Sequence, residues 1–476
     1  MNGRTRHVAV VGGGPAGLAA AQAALDAGAR VTLVESGEEL GGQFWRHLPQ
    51  SRAGAREEKL HHHWQRYRAL RDALLGSPHC DVRCRLQIWA VQTDPGGSVT
   101  LVGHEGAADA GGGEPVRIAP DAVVLATGAH DRTLPFPGWT LPGVFTAGAA
   151  QAFAKSERIA VGRRVVVAGA GPFLLPVTAS LIATEAEVVG VFEANRLRNL
   201  LGWVGGTPWK LLGAARKGGE LAEYVGTHLR HRVPYRTGRA VVAAHGTDHV
   251  EAVTTARLDA RWSPVPGTER RHETDAVCLS HGFTPRIELP IAAGCEITPD
   301  RFVRVDATQQ TTVPGVYAAG EITSINGSDG ALAEGTVAGH CAAGGADSDR
   351  EIRAAVRRRD TFGYFGTRLE TAHGIRPGWT GWLTEDTVLC RCEETTVGSF
   401  QRTVDATCSA GLRSVKLTTR AGLGICQARI CGRTVEDYLA QLTDDAPGDG
   451  ARSDRRPIAT PVRLGDLARA GEHQSS

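Results

Sequence analysis

Apolar residues in the first part of the chain come in blocks separated by glycine turns. "HVAVVGGGPAG" reads as a buried strand running into a glycine turn. "PAGLAAAQAALDAG" is Ala- and Leu-rich, which predicts a helix closed by Gly28 as a C-cap. "RVTLVE" follows as a second strand, so residues 7–35 form one strand–turn–helix–strand unit. The unit returns over 163–193 as "RRVVVAGAGPF", "LLPVTASLIATEA" and "EVVGVFE". Two such units predict a doubly wound α/β architecture.

Further strand-then-glycine segments are "DAVVLATGA" (121–129), "DAVCLSHGFTPR" (275–286) and "TTVPGVYAAGE" (311–321). Residues 327–343 read as a helix of small residues. Residues 344–385 carry the charged helical run "DREIRAAVRRRDTF" and read as a connector. Residues 386–445 differ in composition and hold four grouped cysteines. The tail 446–476, which opens Gly-, Asp- and Arg-rich, is expected to be mobile.

Composition narrows the function. The chain has 476 residues and 42% hydrophobic content, enough for two to four domains. Its 53 basic residues against 51 acidic ones leave a formal charge of +2, which gives no reason to expect a nucleic-acid partner. No apolar run reaches the ~18 residues of a transmembrane span, and with a strand–turn motif within a dozen residues of the first Met no leader is expected. The expectation is a cytoplasmic protein, with a peripheral place at the inner face of the plasma membrane as the variant. Its ten cysteines are then reduced thiols, some of them metal ligands.

Gly12, Gly14 and Gly17 match G-x-G-x-x-G between strand and helix, and Glu35 ends the next strand where a ribose-binding acid belongs. Gly12 permits the tight turn, Gly14 lets a pyrophosphate approach, and Gly17 lets helix and strand pack closely. Pro15 and Ala16 open the helix, whose free N–H groups and positive dipole end would face phosphate. In the second unit Gly169 and Gly171 keep G-x-G, but Leu174 stands at the third glycine and Pro172 and Pro176 crowd the helix start. Glu193 ends its second strand and favours a free 2′-hydroxyl, while Arg196 and Arg198 just beyond point the other way. That site is expected either to take NAD(P) or another adenine nucleotide, or to keep the fold without the function.

"VVGGGPAGLAAA", "LATGA" and "TTVPGVYAAGE" together resemble the two-dinucleotide-domain flavoprotein reductases, over residues 7 to about 343. The resemblance implies a glutathione-reductase-like α/β fold with two Rossmann-like domains. It implies FAD at the first motif, with Ala126, Thr127, Gly128, Gly320 and Glu321 facing the flavin. "ELGGQFWRH" places Gly42 and Gln43 beside it by the same resemblance. The implied division is 1–158 and 273–343 for the FAD domain and 159–272 for the second nucleotide domain.

Many such reductases use a cysteine pair. Cys80 and Cys84 lie in "HCDVRCRLQIWAV", which alternates like a strand. Positions i and i+4 of a strand are ~13 Å apart, beyond the ~7 Å a disulfide allows, so no disulfide is expected. Cys278, Cys295 and Cys341 are isolated, and Cys408 reads as a small buried residue. His61, His62 and His63 read as a solvated face of one helix through "REEKLHHHWQRYRALRDALL".

Cys390 and Cys392 in "VLCRCEETT", with Cys426 and Cys431 in "GICQARICG", form C-x-C…C-x4-C. Four soft thiolates suit an iron–sulfur cluster or zinc. Thr434 and Asp437 are spaced as a capping box for the helix that follows. "CRCEETT…TRAGLGICQARICG" resembles the bacterioferritin-associated-ferredoxin-like [2Fe–2S] domain, which implies a small, mainly helical module over 386–445. Arg391, Lys416, Arg420, Arg429 and Arg433 are close enough in sequence to offset the negative cluster.

The combined order, with "GAHDRTLPFPGWTLPGVFTAGAAQ" (128–151), resembles the α-type subunits of bacterial amino-acid and opine dehydrogenases. That resemblance implies three kinds of partner: an amino-acid-oxidase-like catalytic subunit, a second and small ferredoxin-like one, and a quinone or other respiratory acceptor. The expected function is electron transfer from oxidation of an amino-acid, imino-acid or opine C–N bond. The alternative is a stand-alone NAD(P)H-dependent reductase feeding its own cluster. No catalytic base stands out, and neither His130 nor His281 is assigned a catalytic role.

Overall fold

The computed structural model describes residues 5–49, 52, 57–93, 98–106, 113–202, 216–443, 454–456 and 458–472. They fall into two compact units. The first comprises 1–130, 285–366 and 455–476; the second comprises 131–284 and 367–454.

In the first unit a parallel sheet runs in the order Val316–Ala318, Ala122–Leu125, His7–Val11, Arg30–Val34, Cys80–Arg83. Val8 lies opposite Val31 on one side and Ala122 on the other. His7–Val11 is buried throughout, as a central strand covered on both faces requires. The helix Pro15–Asp26 packs on the helix Gly327–Ala342, and small residues make the approach possible. A Cβ at Gly335 would overlap the carbonyl of Ala16, and one at Gly339 that of Ala20. An antiparallel meander of Leu86–Thr93, Val99–Glu105 and Glu114–Ile118 completes this unit.

Part of the tail lies outside the described residues, and the described stretch 458–472 does not behave as its composition suggests. Ile458, Val462 and Leu467 pack against Trp89, Ala90 and Val102 of the meander, and Ala459 N–H donates to the Trp89 carbonyl at 2.7 Å. The stretch Cys80–Val91 is also not one strand. It breaks at Arg85, whose φ is +56°, and its halves join different sheets. Cys80 and Cys84 are free thiols all the same.

The histidine run needs a larger correction. One helix ends at Leu60 and another starts at Trp64, with His63 left-handed at φ +59° between them. His61 is buried, bonded to Glu57 at 3.1 Å and stacked 5.0 Å from Trp64. The His62 carbonyl accepts the Trp45 indole N–H at 3.0 Å. Aromatic packing, not solvation, decides this segment.

The second unit holds a parallel sheet in the order Tyr235–Thr237, Glu187–Glu193, Arg164–Gly169, Ala276–Ser280, Val144–Thr146. Beside it stands an antiparallel meander of Arg239–His245, Ala252–Arg257 and Arg270–Glu273. The C-terminal cysteine module is a short hairpin, Val388–Cys390 with Thr395–Thr396, and helices Val397–Thr407, Leu412–Thr419 and Gly432–Thr443. Its core residues Leu389, Phe400 and Leu439 join one apolar cluster with Val253 and Trp262 of the meander and with Trp379 and Trp382. The last part of the 344–385 connector is therefore core. Cys408 is exposed, not buried, and ends its helix in the left-handed conformation. Thr434 is inside its helix, which starts at Gly432, so there is no capping box. Asp437 pairs with Arg132 instead. No described helix is long and apolar enough to cross a membrane.

Candidate nucleotide and thiol sites

The first glycine turn is built by contacts that exclude side chains. A Cβ at Gly12 would strike the Ala126 carbonyl, and one at Gly17 would overlap the carbonyl of Gly12. Gly14 is extended at φ −77° and caps the helix, with Pro15 in its first turn. Gly42, at φ +59°, folds over this turn: a Cβ there would come within 2.8 Å of Gly14 Cα. Gly320 closes the other side, where a Cβ would lie 2.8 Å from the Ala16 side chain. Gly12, Gly14, Pro15, Ala16, Gly17, Gly42, Ala126 and Gly320 thus surround one cradle.

Glu35 is half-buried at its edge. One carboxylate oxygen accepts the Gly13 N–H at 2.8 Å and the other the Gly37 N–H at 2.7 Å. Gln43 is exposed, and Glu321 half-buried. The loop after Ala126 is tied back by Thr127 Oγ1 to the Arg286 carbonyl at 2.6 Å and by Arg286 N–H to the Gly128 carbonyl at 2.9 Å.

Glu334 was not foreseen. Its carboxylate accepts Gly320 N–H at 2.8 Å, Thr323 Oγ1 at 2.6 Å and Asn326 Nδ2 at 3.1 Å. Burial raises its pKa, and these donors partly offset the rise. A lone glutamate in a helix of small residues was the available signal.

The second glycine turn differs. A Cβ at Gly169 would still overlap a carbonyl, that of Ser280. Gly171, however, is left-handed at φ +109°, where Gly14 is extended. The helix starts only at Leu174, which is fully buried. Glu193 is completely buried and its oxygens are engaged: Gly171 N–H at 2.9 Å, Asn195 N–H at 3.0 Å, Asn195 Nδ2 at 3.1 Å and Tyr235 Oη at 3.4 Å. Burial and this carboxylate push the Tyr235 phenol upward. Arg196 is turned to the Leu258 carbonyl at 2.8 Å, and Arg198 is exposed. His281 is buried beside Arg132; burial first, then that charge, pushes its pKa down to about 3, so its imidazole stays neutral.

In the C-terminal module the structure brings all four cysteines together. Cys390 and Cys431 are buried, with sulfurs 3.6 Å apart. Cys426 contacts both Cys431 and Cys392. Cys431 also contacts Cys390, so the four thiols form one run of contacts, Cys390–Cys431–Cys426–Cys392. The Gly422 N–H donates to Cys390 Sγ at 3.4 Å. Hydrogen bonding from the Cys431 thiol holds Cys390 down to about 6 and Cys426 down to about 5, while Cys431, donor to both, is pushed up. A sulfur that accepts a backbone N–H, as Cys390 does, is a form soft metals take as ligand. A Cβ at Gly424 would strike the Cys392 side chain, so the loop closes on the thiols there. Arg420 pairs with Glu393 at 2.6 Å, and Arg429 donates to the Cys426 carbonyl at 3.1 Å.

Residues 6–342 match the family model described as pyridine nucleotide-disulphide oxidoreductase. The chain belongs to this family of dinucleotide-binding oxidoreductases. It is 31% identical over 457 residues to the hydrogen cyanide synthase component HcnB of Pseudomonas protegens, covering 91% of this chain and 92% of that one. It is 30% identical over 475 residues to an opine oxidase subunit of Agrobacterium tumefaciens, covering 96% and 90%. The crystal structure of L-proline dehydrogenase from P. horikoshii shares the fold, with a TM-score of 0.65 at 20% identity over 98% of this chain and 79% of that one. The family's name includes a disulphide, whereas all ten cysteines here are free.

Proposed function

We propose that this chain is the FAD- and [2Fe–2S]-containing electron-transfer subunit of a dehydrogenase acting on an amino-acid, imino-acid or opine C–N bond. The convergence of Cys390, Cys392, Cys426 and Cys431 on the chain that carries the first glycine cradle supports this reading most. The cradle fits FAD: Gly12 and Gly17 leave no volume for side chains, Glu35 stands at the ribose position, and the Pro15–Asp26 helix offers its N-terminal N–H groups. The four converging thiols would hold a binuclear cluster, two to each iron. When bound, FAD takes two electrons and can release them singly, and the cluster carries one at a time.

The protein's own residues do the rest. Glu334 fixes the Gly320 loop against Ala16, and the Gly422 N–H stabilises the Cys390 thiolate. Glu193 is spent inside the second domain, which disfavours NAD(P)H as the electron source. Two relatives named as subunits, of an opine oxidase and a hydrogen cyanide synthase, support a partner that oxidises the substrate. That partner would be amino-acid-oxidase-like, joined by a small ferredoxin-like protein, with a quinone or other respiratory acceptor and a cytoplasmic site.

The test is anaerobic reduction of the purified chain. Dithionite should bleach the flavin and raise a [2Fe–2S] EPR signal. A protein loaded with iron and FAD that shows neither spectrum would refute the proposal.

A further inference from the structure

The segment 132–140 lies in the stretch that marks the amino-acid dehydrogenase resemblance, and within the second unit it is bound at several points to the cysteine module and to the end of the connector before it. Arg132 pairs with Asp437. The Pro135 carbonyl accepts the Trp382 indole N–H at 2.9 Å. Leu134 and Phe136 are buried in the same apolar cluster as Phe400 and Leu439. Trp139, itself buried, donates its indole N–H to the Val388 carbonyl at 2.7 Å, two residues before Cys390.

Arg391 stands between the two cysteines of C-x-C. Its guanidinium lies 5.8 Å from the Trp139 ring centre and 3.4 Å from the Thr140 carbonyl. Both contacts hold it on the segment instead of free in solvent. Glu393, two residues on, is matched by Arg420. Among the described residues Arg391 has no carboxylate partner, and in sequence it is flanked directly by two of the four thiols.

We propose that Arg391 raises the reduction potential of the cluster and that Trp139 is the positioning residue that holds it there. This rests on the [2Fe–2S] reading above. Reduction adds one negative charge to the cluster, and a fixed cation next to two ligands favours the reduced form. A long arginine on an exposed loop would otherwise spread its charge into water. Trp139 supplies a flat ring and a fixed backbone bond to the strand that enters the cysteine pair.

The experiment is an EPR-monitored redox titration of the full chain at low ionic strength, for the wild type, R391Q, R391K, W139F and W139A. R391Q should lower the reduction equilibrium constant about threefold, or about 28 mV at 59 mV per tenfold for a one-electron couple. R391K should recover part of the loss. W139A should move the potential in the same direction, W139F less, because it keeps the ring. W139A combined with R391Q should fall no further than R391Q alone, since the two act through one charge. A wild-type cluster whose potential ignores R391Q overturns this inference, as do W139A and R391Q shifts that simply add. A wild-type chain with no iron–sulfur signal overturns the cluster reading and this inference with it.

Discussion

The two glycine turns start from nearly the same sequence and end as different objects. At the first, Gly17 lets the helix start directly after Gly14, and Glu35 is left half-buried at the edge of an open cradle. At the second, the helix starts at Leu174, three residues past Gly171, and Glu193 is sealed under Asn195 and Tyr235. One side chain at the third motif position accompanies the change from a helix that starts directly after the glycine turn to one that starts three residues later. A glycine motif is thus a statement about backbone approach, and its third position decides whether the approach is kept.

The comparison breaks most visibly if the third position is exchanged. Gly17→Leu would put side-chain atoms on the Gly12 carbonyl; it should abolish FAD retention and destabilise the first unit by about 3 kcal/mol, read by flavin absorbance and thermal unfolding. Cys431→Ser should remove the iron–sulfur absorbance and EPR signal entirely while the FAD spectrum stays, because the thiols and the cradle are built from separate residues. The reciprocal swap, Leu174→Gly, should cost about 2–4 kcal/mol from the buried cavity, yet give no reduction by NADH, since Glu193 remains committed; rapid flavin bleaching in this variant would show Leu174 to be the sole block. The acids sharpen the contrast further. Glu35→Gln should weaken FAD binding by about 1.5–3 kcal/mol, roughly 10- to 150-fold, whereas Glu193→Gln should lower melting temperature and leave flavin content unchanged.

The smallest expected effect is a pH dependence in the second unit. Burial raises the Asp131 carboxyl to about 6, against hydrogen bonds that pull it down, including Gly148 N–H at 2.9 Å. The folded state then holds its proton more tightly than the unfolded chain. This contribution to stability is fully present below the unfolded value near 4 and is lost as pH rises through about 6, on the order of 2 kcal/mol. Asp131→Asn should flatten stability over that window, measured by denaturant unfolding between pH 4 and 7.

The parts of this molecule legible in the sequence are those that local pattern controls. The strand His7–Val11, its glycine turn and the helix Pro15–Asp26 follow from a block of β-branched residues, a glycine motif and an Ala-rich run. The two-plus-two cysteine spacing likewise announced a thiol site. What failed was decided by contacts distant in sequence. His61–His63 look like solvated helix, yet the helix breaks there, the His61 ring stacks on Trp64 and the His62 carbonyl takes the Trp45 indole N–H. Asp437 has capping-box spacing but pairs with Arg132, 305 positions away. The tail reads as mobile, yet Ile458 and Val462 find a sheet far upstream. Glu334 and the sealing of Glu193 could not be read, because neither partner set is close in the chain.

The most direct test of the electron-relay reading is anaerobic stopped-flow mixing of the FAD- and cluster-loaded chain with NADH and, separately, NADPH. Neither should bleach the flavin on the time scale of turnover, although dithionite reduces both centres. Rapid bleaching by either nucleotide would contradict that reading and make the second glycine turn a working cofactor site.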